Sequence, residues 1–320
     1  MDTHQENTYI GAGKRVLKAI DALLLIGHGT VDDLNDMAAF LSRIRMGRPA
    51  SPELVAEITA RYRQIGGSPL RAISVAQALA LEQRLKLPCL VAARMWHPLV
   101  EDVVLQAHQS GYRRLLALPL APFSVDLYHR SAVQAASERG LNDLVIEKVS
   151  PWGSHARYVA AWADQIRPFC EQNPSAALLL TAHSLPTRVI RSGDRYQQEV
   201  EACASAIAQM LGKQHRMVFQ SQGADGGEWV GPSLQQALQQ LKSENIGAAV
   251  VAPIGFLSDH VETLYDLDIE AARWAQELGI TWHRVPALNA TPAMIDTLEA
   301  VARDSLSTLS SAPLSAPLRG

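Results

Sequence analysis

Apolar and polar residues alternate along the chain in blocks of two kinds, and these blocks predict how it folds. Short apolar runs, each as long as a β-strand, are separated by longer amphipathic stretches. Strands that alternate with helices are typical of βα units, in which helices cover both faces of a parallel sheet. The apolar runs lie at residues 22–26, 88–93, 114–120, 176–181 and 246–254.

A weak internal duplication divides this pattern into two halves. Residues 23–28 and 178–183 share the pattern Leu-Leu-Leu-x-x-His, each at the end of a predicted strand. Pro-Leu-Ala-Pro-Phe at 119–123 has an echo in Pro-Ile-Gly-Phe at 253–256. The repeat predicts an α/β fold of two similar Rossmann-like lobes, each with an open parallel sheet. Ligands bind beyond the carboxyl ends of such strands, so both of these histidines are expected to face a ligand crevice.

The duplication also gives the predicted domain organisation. We expect an N-terminal segment at 1–15, a first lobe at 16–150 and a second lobe at 151–308. Residues 309–320 are rich in Ser, Ala and Pro and show neither the helical nor the strand spacing of apolar residues, which predicts a disordered tail.

Composition and charge exclude several classes of protein. Of the 320 residues, 48% are hydrophobic and 19% charged, as in an ordinary globular protein. The formal net charge of −3 and the lack of Lys/Arg runs with interleaved aromatics argue against a nucleic-acid partner. No apolar stretch reaches the roughly 18 residues of a transmembrane helix, and the first 20 residues lack the apolar core of a signal peptide. We therefore expect a cytoplasmic protein.

The three cysteines limit the metal chemistry of the chain. Cys89, Cys170 and Cys203 are widely separated and form no CxxC pair, so they encode neither a disulfide framework nor a zinc ribbon. An iron–sulfur cluster usually needs four cysteine ligands, and none held by this chain alone is expected.

His183 is the first candidate for chemistry. It follows a buried apolar run and precedes Ser-Leu-Pro, where the proline hinders continuation of the strand. Its imidazole is therefore predicted to be available to a ligand. The alternative is a histidine satisfied by hydrogen bonds inside the core.

An acidic segment supplies the second candidate. After a strand that ends near Pro253, Ser258 or Asp259 can cap a helix that runs to about Glu277. On that helix Glu262, Asp266 and Glu270 fall at i, i+4 and i+8 and make one acidic stripe, with no Lys or Arg between them. Such a stripe is either a solvated helix face or a row of hard oxygen ligands for a divalent cation.

Six segments, taken together and in this order, resemble the ferrochelatases, which insert ferrous iron into a porphyrin in haem biosynthesis. Each is weak by itself, whereas the set is highly specific and covers nearly the whole chain apart from the termini. They are residues 62–70 (YRQIGGSPL), 94–98 (RMWHP), 181–186 (TAHSLP), 219–232 (FQSQGADGGEWVGP), 253–270 and 286–292 (PALNATP).

The resemblance implies a porphyrin cleft between two lobes and assigns roles to residues that match its motifs. It places His183 and Glu262 at the reacting centre and as metal ligands. It makes porphyrin and Fe²⁺ the substrates, with no permanently bound cofactor, and leaves room for a peripheral contact with a membrane. The implied further metal ligands are Asp266, Asp268 and Glu270, and the implied porphyrin contacts are His28, Arg45, Arg61, Ser68, Met95 and Trp229.

Beside an apolar macrocycle, the carboxylate of Glu262 is expected to be desolvated, which would raise its pKa and make it a usable proton acceptor. Which of His183 and Glu262 binds metal and which takes protons is left open by the sequence.

The sequence also departs from the pattern of the family. The first strand usually ends in Gly-Thr-Pro, preceded in the coproporphyrin branch by a tyrosine, whereas residues 27–31 read Gly-His-Gly-Thr-Val. His28 is thus a candidate to replace that tyrosine. TAHSLP and Arg45 favour coproporphyrin, and PALNATP favours protoporphyrin, so the macrocycle is left open.

Two alternative functions are left open by the sequence. Gly27-His28-Gly29 is also typical of cobalt or nickel chelatases that act on sirohydrochlorin, whose eight carboxylates would require a more basic cleft. A two-lobed carrier of tetrapyrrole or metal, without turnover, is the other.

Overall fold

The computed structural model describes residues 20–223 and 227–311, which form two parallel sheets flanked by helices. The first sheet has the strand order β2-β1-β3-β4 and the second the order β6-β5-β7-β8. The strands are β1 (Ala22–Gly27), β2 (Cys89–Ala93), β3 (Arg114–Pro119), β4 (Val145–Lys148), β5 (Ala177–His183), β6 (His215–Gln220), β7 (Ala248–Ala252) and β8 (Thr281–Arg284).

The two sheets have the same topology, because β5 to β8 repeat the order of β1 to β4. In each sheet the first strand of the lobe lies in the interior and pairs on both sides with parallel neighbours. All six residues of β1 are buried, as expected for a parallel strand covered on both faces. The predicted fold class is confirmed, and the duplicated leucine runs mark corresponding strands of the two lobes.

Helices connect successive strands and cover the sheets. Several begin at a capping residue; Ser51, for example, accepts a hydrogen bond from the N–H of Leu54, and Pro52 is the first helical residue. The helices are α1 (Met37–Ile44), α2 (Pro52–Gln64), α3 (Leu70–Leu85), α4 (Val100–Gln109), α5 (Val125–Glu138), α6 (Ala156–Gln172), α7 (Thr187–Arg191), α8 (Tyr196–Leu211), α9 (Leu234–Ser243), α10 (Val261–Leu264), α11 (Ala272–Leu278) and α12 (Pro292–Ser311).

One hydrophobic core joins the two sheets. Leu25 of β1 and Leu180 of β5 belong to the same buried cluster, together with Trp162 of α6. The predicted boundary at 150/151 falls in the loop between β4 and α6. The exact division into two lobes stays a prediction, since the packing between them is continuous.

The C-terminal helix α12 returns to the first lobe. It packs against α6 and also against α3, where Arg84 forms ion pairs with Asp296 and Glu299. The predicted start of the tail at 309 was wrong, because Leu309 packs against the core and α12 continues to Ser311. Residues 312–320 and the predicted segment 1–15 lie outside the described residues.

Within residues 20–223 and 227–311, no helix is long and apolar enough to cross a membrane.

We expect Leu298→Ala to destabilise both lobes together. Leu298 is fully buried on α12 in the shared core, so its truncation should lower the free energy of unfolding by about 2–5 kcal/mol. Urea unfolding followed by tryptophan fluorescence and far-UV circular dichroism would show one shifted transition. Thr308→Ala on the exposed face of α12 is the matched control and should change stability by less than about 0.5 kcal/mol. Two separate transitions would contradict a shared core.

Candidate active site between the lobes

A cavity of about 260 Å³ lies between the lobes, at the carboxyl ends of strands from both sheets. Its walls are mostly apolar, with a small number of polar and ionisable groups, as is common for sites that bind small molecules. The apolar lining includes Leu70, Leu120, Phe123, Leu127, Leu185, Phe256 and Leu257. The polar lining includes His28, Arg94, Tyr128, His183, Tyr196, His260 and Glu262.

His183 and Glu262 meet in this cavity. His183 is the last residue of β5, and its Nδ1 lies 2.9 Å from Oε2 of Glu262 near the start of α10. The backbone on both sides is held, because Tyr196 donates its hydroxyl to the carbonyl of His183 at 2.9 Å and Gln220 donates to the carbonyl of Glu262 at 2.6 Å. The two side chains are 36% and 29% exposed, so a ligand in the cavity can reach both.

The contact sets the protonation of both groups. Burial by itself would lower the pKa of His183, but the neighbouring carboxylate of Glu262 outweighs burial and raises that pKa. Burial by itself would raise the pKa of Glu262, but His183, with His260 and His28, lowers it to about 2. The raised pKa expected for Glu262 was therefore wrong for the free protein, in which the neighbouring histidines hold Glu262 as a carboxylate.

His28 reaches the same cavity from the other lobe. It follows β1, and its carbonyl accepts a hydrogen bond from the N–H of Met95 at 2.8 Å. The next residue, Gly29, has a φ of 101°, and a Cβ there would lie 2.7 Å from the backbone nitrogen of Trp96. The side chain of His28 is exposed at the mouth of the cavity. Desolvation by the surrounding protein lowers the pKa of His28 to about 4, which favours the neutral imidazole.

Sequence reasoning missed His260 as a site residue. It lies directly before α10, its Nδ1 is 3.1 Å from the carbonyl of Ser258, and burial lowers its pKa. The hydrogen bond to Ser258 leaves Nε2 as the ring nitrogen available to a ligand. The signal was its position two residues before Glu262. Arg94, Tyr128 and Tyr196 also line the cavity and were not predicted to do so.

The predicted acidic stripe is divided between two cavities. Glu262 faces the first cavity, whereas Asp266 and Glu270 line a second cavity of about 220 Å³ together with Arg61 and Ser221. A π-helical segment, Asp266–Ala271, interrupts the predicted helix between α10 and α11. The single helix predicted from 258 or 259 to about 277 was wrong in this respect, and its N-cap is His260.

The acidic residues also have cationic partners that the sequence did not reveal. Arg61 lies 3.5 Å from Asp266, and Ser221 donates a hydrogen bond to the same carboxylate at 2.5 Å. Burial nevertheless raises the pKa of Asp266 to about 7. Asp268 lines neither cavity and is paired with Arg284 at 2.8 Å.

Of the predicted porphyrin contacts, His28 lines the first cavity, Arg61 lines the second, and the others line neither. Arg45 ends α1, and the hydroxyl of Ser68 accepts a hydrogen bond from the N–H of Leu70 at 3.4 Å. Met95 packs against the cluster of Val31 and Phe40, and Trp229 pairs with Pro186 in an isolated bridge.

Comparison with known proteins identifies the family. The sequence profile of the ferrochelatases matches residues 20–306. The chain belongs to the ferrochelatase family. A ferrochelatase of Acidobacterium capsulatum is 34% identical over 313 residues, covering 90% of this chain and 95% of that protein. A coproporphyrin III ferrochelatase of a Geobacillus species is 34% identical over 298 residues, covering 87% of this chain and 96% of that protein.

Solved structures agree with the fold of this ferrochelatase-family chain. SirB from Bacillus subtilis, solved with Fe³⁺, superposes with a TM-score of 0.59 at 14% identity, covering 90% of this chain and 96% of SirB. A sirohydrochlorin chelatase SirB from Bacillus subtilis subspecies spizizenii, solved with cobalt, superposes with a TM-score of 0.52 at 13% identity, covering 90% of this chain and 96% of that protein. At these identities the likeness concerns the fold alone.

A close backbone approach beside His183 gives a testable prediction. A Cβ at Gly255 would lie 2.5 Å from the Cβ of Ala182 and 2.7 Å from its Cα. Gly255→Ala should therefore push β5 and the loop after β7 apart and lower the free energy of unfolding by about 1–3 kcal/mol, measured by urea titration. Gly247→Ala, where a Cβ meets nothing within 4 Å, is the control. Equal stability of the two variants would show that the approach is not tight.

Proposed function

We propose that this protein inserts ferrous iron into a porphyrin, with release of two protons. The observation that carries the proposal is the contact between His183 and Glu262 inside an apolar cavity of a ferrochelatase-family chain. The apolar walls suit the faces of a planar macrocycle, and the ionisable pair suits the exchange of protons for a metal ion.

Metal insertion makes specific chemical demands. Two pyrrole N–H protons must leave, and the four ring nitrogens must replace water around the ion. A planar ring hides its lone pairs, so a cleft has to distort the macrocycle, provide a base and receive the metal with little water. The cavity between the lobes offers three imidazoles and one carboxylate for these tasks: His28, His183, His260 and Glu262.

The geometry supports a division of roles between His183 and Glu262. Because Nδ1 of His183 is engaged with Glu262, Nε2 is the nitrogen that can accept a pyrrole proton or bind Fe²⁺. Glu262 then orients the imidazole and stabilises its positive charge after protonation, as carboxylates do for many catalytic histidines. Because Glu262 raises the pKa of His183, the imidazole of the free protein holds its proton to a higher pH than an ordinary histidine, and a protonated ring has to lose that proton before Nε2 can act.

Asp266 and Glu270 are proposed as a route for iron. Both line the second cavity, which lies beside the helical segment that carries Glu262, and their oxygens are suitable ligands for a divalent cation. Arg61 occupies part of the same cavity and would compete with a cation for Asp266. Arg45, Arg61 and Ser68 stay predicted contacts for the substrate's carboxylates.

A panel of macrocycles tests the function. Purified protein is mixed anaerobically with Fe²⁺, Co²⁺ or Zn²⁺ and with protoporphyrin IX, coproporphyrin III or sirohydrochlorin, and the absorption bands are followed. Turnover of a porphyrin with Fe²⁺, lost in His183→Ala with an unchanged far-UV spectrum, is the expected result. Preference for Co²⁺ and sirohydrochlorin would favour the alternative of a sirohydrochlorin chelatase, which is suggested by the Gly-His-Gly motif around His28, a histidine that lines the cavity. Binding without turnover would identify a carrier.

The pH dependence of turnover tests the proposed roles. For the wild type, kcat/KM should rise with pH through the pKa of His183, which lies above its usual value of 6.5. Glu262→Gln removes the charge that raises this pKa, so the acidic limb should move to lower pH while the plateau falls by about 10²-fold. The control is Glu277→Gln on α11, an exposed glutamate. An acidic limb that does not move would place the essential base elsewhere.

The iron route gives a separate prediction. We expect Asp266→Ala and Glu270→Ala to raise the apparent KM for Fe²⁺ several-fold and to leave the KM for porphyrin nearly unchanged, because both side chains lie outside the first cavity. Steady-state kinetics with each substrate varied in turn make the measurement. If the KM for Fe²⁺ is unchanged in both variants, these residues are not part of an iron route.

A further inference from the structure

Arg284 is a buried arginine that contacts two carboxylates of the helical segment bearing Glu262. It is the last residue of β8, and its Nη2 lies 2.5 Å from Oδ1 of Asp259. Its Nε lies 2.8 Å from Oδ1 of Asp268. The side chains of Arg284 and Asp259 are 10% and 13% exposed, so their contact is largely shielded from water, whereas Asp268 is 37% exposed and lies at the surface. We call Asp259, Arg284 and Asp268 the arginine clamp.

The clamp spans the turn that carries Glu262. Asp259 lies just before α10, and Asp268 lies in the π-helical segment that follows α10. One guanidinium group therefore ties together both ends of the segment whose middle presents Glu262 to His183. A planar guanidinium can bond two acceptors in fixed directions, which the single ammonium of a lysine cannot reproduce.

Further hydrogen bonds fix the first end of the clamp. The amide of Asn289 donates to Oδ2 of Asp259 at 2.8 Å, and the N–H of Asp259 donates to the Asn289 side chain at 2.8 Å. Thr263 donates its hydroxyl to Oδ1 of Asp259 at 3.0 Å and accepts the N–H of His260 at 3.0 Å. Thr263 thus bonds the first turn of α10 to Asp259.

The network also reaches the first lobe. Gln77 of α3 is fully buried and donates its amide to the carbonyl of Asn289 at 2.7 Å. The loop that leads into α10 is consequently bonded to β8, to the loop before α12 and, through Asn289, to the opposite lobe. A turn held from three sides has little freedom to move Glu262 away from His183.

None of the three clamp residues lines either cavity, so the clamp does not touch a ligand bound there. A contribution to stability does not by itself explain the clamp, because a buried ion pair is often no more stabilising than apolar residues of the same volume. The clamp residues lie on both sides of Glu262 in the chain, which indicates a role in holding that residue in place.

We propose that Arg284 is a positioning residue that acts through Asp259 and Asp268 to keep Glu262 within hydrogen-bonding distance of His183. The inference rests on the proposed metal insertion and deepens it. It also gives Asp268 a role other than metal ligand: its carboxylate is the second anchor of the clamp.

The first test compares Arg284→Lys with Arg216→Lys. Arg216 lies on β6 of the same sheet and pairs with Glu244 at the surface, so it is a matched control. Arg284→Lys should lower kcat about 10- to 10²-fold, the effect of a small misplacement of a reacting group, with little change in KM for iron or porphyrin. Equal kcat in Arg284→Lys and wild type would overturn the proposal.

A double-mutant cycle separates positioning from general damage. If Arg284 acts through Glu262, Arg284→Lys should add little to the loss already caused by Glu262→Gln. Losses that multiply in the double variant would overturn the proposal, because they would show that Arg284 acts independently of Glu262.

Two substitutions of Asp268 distinguish the clamp from a metal ligand. Asp268→Asn keeps an oxygen that can accept from Nε of Arg284 but removes the negative charge, whereas Asp268→Ala removes both. The clamp predicts nearly normal kcat for Asp268→Asn, reduced kcat for Asp268→Ala and an unchanged KM for Fe²⁺ in both. A raised KM for Fe²⁺ in both would overturn the assignment of Asp268.

Amide hydrogen exchange gives a readout that does not depend on turnover. In Arg284→Lys, the amides of residues 259–271 should exchange faster than in wild type, while those of β6 stay unchanged. If wild-type protein turns over no macrocycle, the proposed function fails, and faster exchange still supports the clamp. If exchange does not change, the clamp is overturned even when the wild type is active.

Discussion

His183 and Glu262 are in contact at a position where burial would penalise the charged form of either group without the other. Burial opposes the charged form of each, and a carboxylate or an imidazolium without a partner would shift its pKa toward neutrality. Together they reverse that tendency, since the pKa of His183 is raised and that of Glu262 is lowered to about 2. The contact joins the end of β5 to the start of α10, so both must keep their positions to within a few tenths of an ångström.

Much of the second lobe is arranged so that this contact can form. Gly255 allows the loop after β7 to approach β5, and Gln220 bonds the carbonyl of Glu262 from the end of β6. Asp266 and Glu270, in the π-helical segment that follows α10, line the second cavity, whereas Glu262 lines the first. Glu262 alone of the three lies in contact with an imidazole, and its negative charge still adds to burial in raising the pKa of Asp266.

The sequence predicted what local patterns encode. Five apolar runs located β1, β2, β3, β5 and β7, and the strand-end position of His183 predicted that it faces a crevice. Those runs did not include β4 (Val-Ile-Glu-Lys), β6 (His-Arg-Met-Val-Phe-Gln) or β8 (Thr-Trp-His-Arg), because these are edge strands in which at most three consecutive residues are apolar.

Contacts between distant residues could not be predicted in this way. Arg61 and Asp266 are 205 positions apart, and nothing in their local sequence indicates that they meet. A π-helical segment interrupts the helix that carries the acidic row, whereas counting by i and i+4 assumes a regular α-helix. The low pKa of Glu262 depends on three histidines from different parts of the chain, so burial alone gave the wrong direction.

The return of α12 to the first lobe has a consequence for how the molecule is made. Ala78 and Leu81 of α3 share a buried cluster with Leu298 and Val301 of α12, near the opposite end of the chain. During synthesis the ribosome releases α3 long before α12 has emerged, so that face of the first lobe stays uncovered. The first lobe therefore cannot complete its packing before α12 has emerged, in contrast to chains whose domains fold one after another as they leave the ribosome. A nascent chain of this protein must keep an apolar face of α3 free of wrong partners until the second lobe and α12 have been synthesised.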